Sequence, residues 1–479
     1  MQIKRLAAAA AAGVCLLLHS VLLTASAETE KKSYDDGMFT FTYVDGGVEL
    51  SGINETALAV SLPSETDGRR IIGIADGAFF NCSKLQSVHL PDGLKYIGRH
   101  AFSGCEQLTK IEIPDSVETL GANAFSGCVL LEQLHLPEKI TEIPEGLCYT
   151  CVMLKDVNLP DSVTKIGDEA FYSCSNLQTA DMPDHLTELG NYAFAFTGLN
   201  QIDLPDSVKK LSGGTFCGCD NITEFVVPQQ MEDLGSLAFM GCTGLSSFDV
   251  EEGNLHYSAK DGVIYKDNGS NLFLYPAGNP QTEFTVPEGV NIINDGAFFK
   301  SEHLTQVNFP STLRYIGAGA FEYCIGLKHL SLPEGTELIY ENAFADCSEL
   351  YAADLPSTLR GVGNYAFYNC PKLMTVTVPA GCRTVGENAF GYIEQVDAEG
   401  NASPVKLKGF KQVSGGFSIW KILAVVLGVA AGGALIMFLV SVIRKNQMTA
   451  QEHEDNVIAD ENYTGITQET DNSEQEDKS

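Results

Sequence analysis

Hydrophobic and polar residues along this chain repeat with a period of 23 residues, shortened once to 22. One unit, LTKIEIPDSVETLGANAF at 108–125, has a leucine, two variable residues, and then aliphatic residues two apart that end at a proline. Apolar residues two apart are typical of a β-strand with one buried face, and proline ends such a strand because it cannot donate to a ladder. These prolines stand at 91, 114, 137, 160, 183, 205 and 228, and again at 287, 310, 333, 356 and 379.

The second half of each unit predicts a turn and a second short strand. The tetrapeptide PDSV favours a turn, because proline presets φ while Asp and Ser bond nearby backbone groups. A glycine often follows the next aliphatic residue, which indicates either a corner with positive φ or a close approach of two backbones. These glycines stand at 98, 121, 167, 190, 235, 317, 363 and 386.

A unit of 23 residues is too short to bury its own apolar face, so successive units must stack. The pattern predicts a repeat solenoid that is mostly β, with parallel stacked strands and short helical turns. The aromatic position that ends each unit, the Phe slot, gives 13 coils, and strands about 4.8 Å apart make a stack of roughly 60 Å. The slot holds Phe79, Phe102, Phe125, Cys148, Phe171, Phe194, Phe216, Phe239, Phe298, Phe321, Phe344, Phe367 and Phe390.

One long interval interrupts the period. Phe239 and Phe298 lie 59 residues apart, and the range 250–285 between them has two apolar runs on either side of Asn268-Gly269. Such a pattern predicts a β-hairpin insert. The insert separates a first block of the solenoid, 62–249, from a second block, 286–392.

The start of the chain predicts an exported protein with a capped solenoid. Two basic residues precede an apolar run, and small residues at 25–27 suit a signal peptidase, so 1–27 is predicted to be a signal peptide. An uncleaved N-terminal membrane anchor is the alternative. The range 28–61 contains alternating runs around Gly46-Gly47 and predicts an N-terminal β cap over the open edge of the first coil.

After the second block, the sequence predicts a linker, a membrane span and a tail. Residues 393–418 are interpreted as the linker. The run 422–443 carries no charge, and its 22 residues would form about 33 Å of helix, enough to cross a hydrocarbon core of about 30 Å. One transmembrane helix is therefore predicted at 419–443. The remaining range, 444–479, is acidic with few apolar residues, which predicts a disordered cytoplasmic tail.

The phrase AFxxCxxLxxVxLPxxVxxIG resembles the repeat of the BspA-like leucine-rich-repeat proteins, a family of bacterial surface proteins. The resemblance covers about 62–392, and many successive copies match in register. It implies an extracellular leucine-rich-repeat solenoid that serves in adhesion or binding, with no catalytic residues to assign.

Ten coils place a cysteine three residues after the Phe slot, at 82, 105, 128, 151, 174, 219, 242, 324, 347 and 370. A single file of cysteines does not gather four ligands at one point, so no metal site is predicted. Aligned coils keep Cβ atoms about 4.8 Å apart, longer than the roughly 3.8 Å of a disulfide, so we expect buried free thiols. Cys217 and Cys382 lie off this ladder and are expected to be the more reactive pair.

The sequence shows no motif of an enzyme active site. HExxH, GxSxG, GxxxxGK[ST] and the dinucleotide glycine fingerprint are all missing from it. We therefore predict no enzymatic activity and no cofactor. The net charge of −32 argues against nucleic acid as a partner, because phosphate backbones attract basic surfaces.

The outward positions of the first strand in each coil predict an acidic strip. In LxxVxLP, the residues on either side of the central aliphatic point away from the core. Like charges at coil spacing cost stability, so a row of them hints at function, although a solvated polar face is the alternative interpretation. The strip, a candidate partner-binding face, consists of Asp156, Asp181, Asp203, Glu224 and Asp249.

These features together predict a single-pass protein of the cell membrane, with a large N-terminal domain outside and a short tail inside. The first hypothesis is adhesion or protein–protein interaction with a basic or cation-bridged extracellular protein of a host, a neighbouring cell or the matrix. A glycan-binding module and a receptor that acts through its tail are the alternatives, and a hydrolase ranks last. Exposed aromatic residues would favour a glycan, and the outward row has few of them apart from Tyr351.

Overall fold

Stacked coils form the body of the chain in a computed structural model, which describes residues 33–53, 56–235, 237–396 and 402–415. Each regular coil contributes one strand to each of two rows, with a run of turns after the second strand. The predicted signal peptide, transmembrane helix and tail lie outside the described residues. Within the described ranges, no helix is both long and apolar enough to cross a membrane.

The outer row consists of the strands that end at the prolines. Neighbouring strands run parallel with a register step of one coil, so that Gln133 faces Asp156. The central residue is buried and its neighbours are exposed, as in Lys110–Glu112, which confirms the predicted alternation. The row comprises Ala59–Ser61, Ser87–His89, Lys110–Glu112, Gln133–His135, Asp156–Asn158, Glu224–Val227, Ser247–Val250, Glu283–Thr285, Gln306–Asn308, His329–Ser331, Ala352–Asp354 and Thr375–Pro379.

The inner row consists of the second, shorter strands. It comprises Arg69–Ile74, Tyr96–Ile97, Thr119–Leu120, Glu142–Ile143, Lys165–Ile166, Glu188–Leu189, Asn271–Leu274, Ile292–Ile293, Tyr315–Ile316, Leu338–Ile339, Gly361–Val362 and Thr384–Val385. Its pairing is interrupted between Thr119–Leu120 and Glu142–Ile143. In regular coils the backbone N–H of the glycine after the strand donates a hydrogen bond to a carbonyl oxygen of the previous coil, as Gly121 N does to Ile97 O at 2.7 Å. Pro144 replaces this glycine and has no N–H to donate, so one rung of the ladder is lost.

The repeated glycines are explained by close approach of backbones. A Cβ atom at Gly121 would lie 2.3 Å from Arg99 N, and one at Gly167 would lie 2.6 Å from Glu145 N. Gly235 alone among the eight also has a positive φ, of +62°. The sequence leaves open a corner with positive φ or a close approach of two backbones. Close approach therefore explains all eight glycines.

The short helical turns predicted for each coil are non-helical turns in the structure. The described residues contain one 3-10 turn, Asp267–Gly269, and no α-helix. After each inner strand the chain makes successive turns, in which Cys105 N donates to Phe102 O at 3.1 Å and Phe102 N donates to Ala124 O of the next coil at 2.7 Å. Positive φ at His100 and Gly104 reverses the backbone and prevents a helix from continuing.

The core is built on stacked rings in the Phe slot. Neighbouring rings lie 4.5–5.9 Å apart between centroids, from Phe79–Phe102 at one end to Phe367–Phe390 at the other. Cys148 and the insert interrupt the row. The buried side chains form two clusters, which meet at the insert.

The predicted hairpin insert is confirmed, and it forms a layer of the stack. Val263–Lys266 pairs antiparallel with Asn271–Leu274, and Tyr257–Lys260 adds a third strand. Ile264 packs into the first core cluster, whereas Val263 and Tyr265 pack into the second.

Tyr275 fills a Phe slot that the sequence count of 13 coils omits. Its ring stacks on Phe298 with 4.7 Å between centroids, and its N–H donates to Ala297 O at 2.8 Å. The insert therefore carries an additional, modified coil.

Both ends of the solenoid are covered by extra strands. At the start, Phe39–Val44 and Gly47–Ile53 form the predicted hairpin, with its turn at Asp45-Gly46, and Gly47–Ile53 pairs parallel with Arg69–Ile74. The other strands here are Ser33–Asp35, which pairs with Phe39–Val44, and Glu65–Thr66, which pairs with Arg69–Ile74.

The predicted linker at 393–418 is corrected over its described part. Tyr392–Val396 pairs antiparallel with Ala402–Lys406, and Lys411–Gly415 pairs parallel with the outer strand Thr375–Pro379. The last coil would otherwise expose an unpaired strand edge, so the chain folds back to cover it.

Candidate functional site

The structure places all five residues of the predicted acidic strip on the exposed surface of the outer row. Asp156, Glu224 and Asp249 stand on outer strands, with their side chains directed away from the buried centre of each strand. Asp181 and Asp203 lie in the two intervening coils, where the ladder of the outer row is interrupted, and they follow the central residue of their segments as Asp249 does. The strip therefore crosses a gap in the sheet.

An asparagine side chain borders the gap. In regular coils an amide of the outer row donates to the carbonyl oxygen of the next coil, as Leu62 N does to His89 O at 3.0 Å. At the edge of the gap, Leu136 N donates instead to Asn158 Oδ1 at 2.7 Å, and Asn158 Nδ2 donates back to Leu136 O. Among the described residues, no hydrogen bond from the amides of 179–182 or 201–204 is found.

Some surface carboxylates of the described residues form ion pairs, and the five strip carboxylates do not. Several carboxylates are paired with a cation one coil away, including Glu118 with Lys95 at 2.8 Å and Glu188 with Lys165 at 3.2 Å. The same spacing joins Glu132–Lys155, Glu232–Lys209, Glu337–Arg360 and Glu349–Lys372. On the outer row itself, Glu112 is paired with Lys110 of the same strand at 2.6 Å. Within the described part of the chain, no Lys, Arg or His nitrogen lies within 4.0 Å of a strip carboxylate. The strip is thus a surface of uncompensated negative charge.

The strip ends at a cleft that sequence reasoning did not identify. A cleft of about 410 Å³ lies between the strand Ser247–Val250 and the first turn of the insert, with Glu224, Asp249 and Asp261 in its lining. Phe248 N donates to Gly262 O at 2.9 Å and holds this turn against the outer row. Asp261-Gly262 is itself a hairpin dipeptide between two extended runs, and this pattern could have predicted the turn.

The lining of this cleft combines charge with an apolar contact. Val226, which is 49% exposed, stands between Glu224 and the insert. Three carboxylates around an exposed valine suit the aliphatic stem and cationic head of a Lys or Arg side chain. The described residues contain no group of three or more His, Cys, Asp or Glu side chains arranged to hold a metal ion.

The ladder cysteines are buried, as predicted, and pack against the turn backbone. Cys105 Sγ donates to Phe79 O at 3.2 Å, in the preceding coil, and Cys324 Sγ donates to Phe298 O at 3.0 Å. The same bond is made by Cys128, Cys151, Cys174, Cys219, Cys242, Cys347 and Cys370. No disulfide joins the thirteen cysteines of the described ranges.

The expected reactive pair, Cys217 and Cys382, is only half supported. Cys217 is buried, and desolvation raises the pKa of its thiol to about 11. Since the thiolate is the reactive form, Cys217 is protected by its environment. Cys382 is half-buried and Cys382 Sγ donates to Thr384 O at 3.3 Å; its pKa is raised by burial, but reagents have access to it.

Comparison with known families and structures gives a consistent result. The family model described as BspA type leucine rich repeat region (6 copies) matches residues 61–176, 141–260 and 269–396. A leucine rich cell surface protein from Faecalibacterium prausnitzii A2-165 is 26% identical with a TM-score of 0.61, and the match covers 81% of this chain and 97% of that chain.

Two further solved structures match over most of their length. A leucine-rich repeat protein from Bacteroides ovatus ATCC 8483 is 26% identical with a TM-score of 0.43, covering 73% of this chain and 95% of that one. The pneumococcal vaccine antigen PcpA is 18% identical with a TM-score of 0.48, covering 82% and 96%. Comparison with curated proteins finds no match.

Proposed function

The chain belongs to the BspA-type leucine-rich-repeat family, and from that premise we propose that it is a surface binding protein whose acidic strip holds a basic segment of an extracellular protein. Solenoids of this kind present a long, rigid face to a partner. A protein-binding role agrees with the family, and the strip supplies the chemistry of recognition.

The observation that carries this proposal is a row of exposed carboxylates on five successive coils of one face. The outer row places one exposed carboxylate on each of five successive coils, at Asp156, Asp181, Asp203, Glu224 and Asp249, and within the described residues none of them has a cationic partner. Uncompensated charge costs stability, and a basic partner would remove that cost on binding. The same field would accelerate encounter with a basic partner at low salt.

The proposed cellular context is a single-pass protein of the cell membrane. The signal-like segment at 1–27 and the uncharged run within 419–443 support export followed by anchoring. The similar Faecalibacterium prausnitzii structure is that of a leucine rich cell surface protein, which agrees with this placement. The partner would be a protein of a host, of a neighbouring cell or of the matrix.

Charge reversal tests the binding face directly. Full-length protein carrying D181K, D203K and D249K should bind a synthetic Lys- and Arg-rich peptide about 10- to 100-fold more weakly than the natural chain, because each reversal replaces attraction by repulsion. Binding to the natural chain should weaken as salt rises from 50 to 500 mM. Surface plasmon resonance against immobilised peptide measures both effects.

A matched triple variant distinguishes the effect of the strip residues from the effect of a change in net charge. Asp115, Asp161 and Asp206 are exposed in the turns after the outer strands, so D115K, D161K and D206K make the same charge change away from the strip. This control should lose less than about threefold in affinity. Equal losses in the two triple variants, or no loss in either, would refute the strip as the binding face.

A further inference from the structure

We propose that a second cleft, on the outer row of the second block, binds a neutral glycan. This cleft is separate from the acidic strip and does not depend on its function. It has a volume of about 450 Å³ and lies between the strand Ala352–Asp354 and the strand Thr375–Pro379. Small-molecule sites commonly span about 300–1,000 Å³, so one or two sugar rings are an appropriate occupant.

Two alanines line the cleft at positions where neighbouring coils have larger side chains. Ala353 takes the buried central position of its strand, where neighbouring coils have Leu330 and Val376. Ala352 takes the outward position beside it, opposite His329 in the register. The ladder also stops between Ala352–Asp354 and Thr375–Pro379, although their neighbours on either side are paired. The cleft lies at this interruption of the ladder.

An exposed aromatic ring forms one side of the cleft. Tyr351 is 59% exposed, which is high for a tyrosine in a folded chain, and its ring lies nearly parallel to that of His329, at 13° with 6.5 Å between centroids. The face of an aromatic ring carries negative charge density and attracts the positively polarised C–H groups of a pyranose ring. Met374, which is 40% exposed, adds a second apolar contact.

The polar groups of the cleft are neutral or already paired. Thr375 and Thr377 present exposed hydroxyl groups, which can both donate and accept hydrogen bonds to sugar hydroxyls. Asp354 is the single charged residue of the lining, and its Oδ2 lies 2.9 Å from His329 Nε2. A cationic side chain would therefore have to compete with His329, whereas an uncharged sugar can accept from or donate to the pair without separating it. This chemistry favours a neutral glycan over a basic peptide.

The test uses full-length protein in a detergent without a sugar headgroup. Isothermal titration with cellohexaose, maltohexaose, mannohexaose and xylohexaose should identify at least one ligand, with an affinity that changes less than twofold between 50 and 500 mM NaCl. Y351A should weaken that affinity about tenfold, because the stacking surface is lost. Y351F keeps the ring and should stay within about threefold of the natural chain.

Two control variants make the outcome decisive. Tyr34 is also exposed, at 41%, but lies in the N-terminal cap, so Y34A should leave sugar affinity unchanged. The strip variant D181K/D203K/D249K should likewise bind the sugar normally, which separates this proposal from the peptide-binding one. Binding of none of the four oligosaccharides, equal affinity in Y351A and the natural chain, or binding of the basic peptide in this cleft instead would overturn the proposal.

Discussion

The thiol of each ladder cysteine meets a local requirement that few side chains can satisfy. The side chain at this position is buried, and it donates a weak hydrogen bond to a carbonyl oxygen about 3.1 Å away, as Cys151 Sγ does to Phe125 O. Ser301 occupies this position in one coil, and its buried Oγ has no hydrogen-bond partner within the described structure. A thiol fills more apolar volume than a hydroxyl. It also loses less free energy than a hydroxyl when its hydrogen bond is imperfect. The repeated cysteine is therefore a packing residue.

Thiol labelling without reductant tests this account of single residues. In the native protein, Cys382 should react fast and Cys217 slowly, because Cys217 is buried and its pKa is raised to about 11 by desolvation. The C382S variant should lose the fast phase, whereas C217S should keep it. Denaturation should then expose nearly all of the remaining thiols to the reagent.

Two results would contradict the packing role of the cysteines. One is a total of three or fewer reactive thiols in the denatured, unreduced protein, which would indicate disulfides. The other is labelling of Cys217 at the rate of Cys382.

At the scale of elements, the sequence predicts the strands wherever one coil repeats another. The strands of both rows follow from aliphatic spacing, and the insert hairpin follows from Asn268-Gly269, where positive φ is observed at both residues. Tyr275 lies one period of 23 residues before Phe298, so the spacing could have assigned it to a Phe slot although a tyrosine stands there. The gap at Asp181 and Asp203 lies in coils that keep the repeat pattern, so periodicity does not predict it.

The cap at the C-terminal end brings carboxyl groups together on the turn side of the solenoid. Burial, and then the nearby Asp346 carboxylate, raise the pKa of Glu322 to about 7. Burial raises the pKa of Asp346 as well, although its bonds to Asn369 and Tyr323 oppose this. Glu394, on the cap strand Tyr392–Val396, also has a raised pKa, because of burial and then of Asp346. The cap thus packs on groups that favour protonation.

A pH dependence of stability follows from Glu322. The folded protein holds this proton more tightly than the unfolded chain, whose carboxyl has a pKa near 4.5. The folded state therefore binds more protons between pH 4.5 and 7, and the free energy of unfolding should fall as pH rises through that window. In E322Q this loss should be smaller by about 1–3 kcal/mol.

Urea unfolding at pH 5, 6, 7 and 8 measures the effect of Glu322. Glu302 is exposed, so E302Q is the control and should keep the pH dependence of the natural chain. An E322Q variant with an unchanged pH profile would show that Glu322 is ionised in the folded protein at pH 5.

For the whole molecule, we predict that the outer-row face of the stack binds other molecules and that the remaining faces stabilise the fold. The outer row presents unpaired carboxylates in the first block and a neutral, aromatic cleft in the second. Ion pairs such as Lys165–Glu188 lie on other faces, and each contributes about 0–1 kcal/mol. The gap in the outer row provides a sensitive reporter, because amides without hydrogen bonds exchange fast until a partner covers them.

Hydrogen–deuterium exchange of the full chain, with and without the Lys- and Arg-rich peptide, tests the central claim most directly. The account predicts slower exchange on binding at 179–182 and 201–204, and no change in the inner-row strands. Protection confined to the inner row or to the end caps, or saturating peptide that slows exchange at neither segment of the gap, would contradict the acidic strip as the surface that meets another molecule.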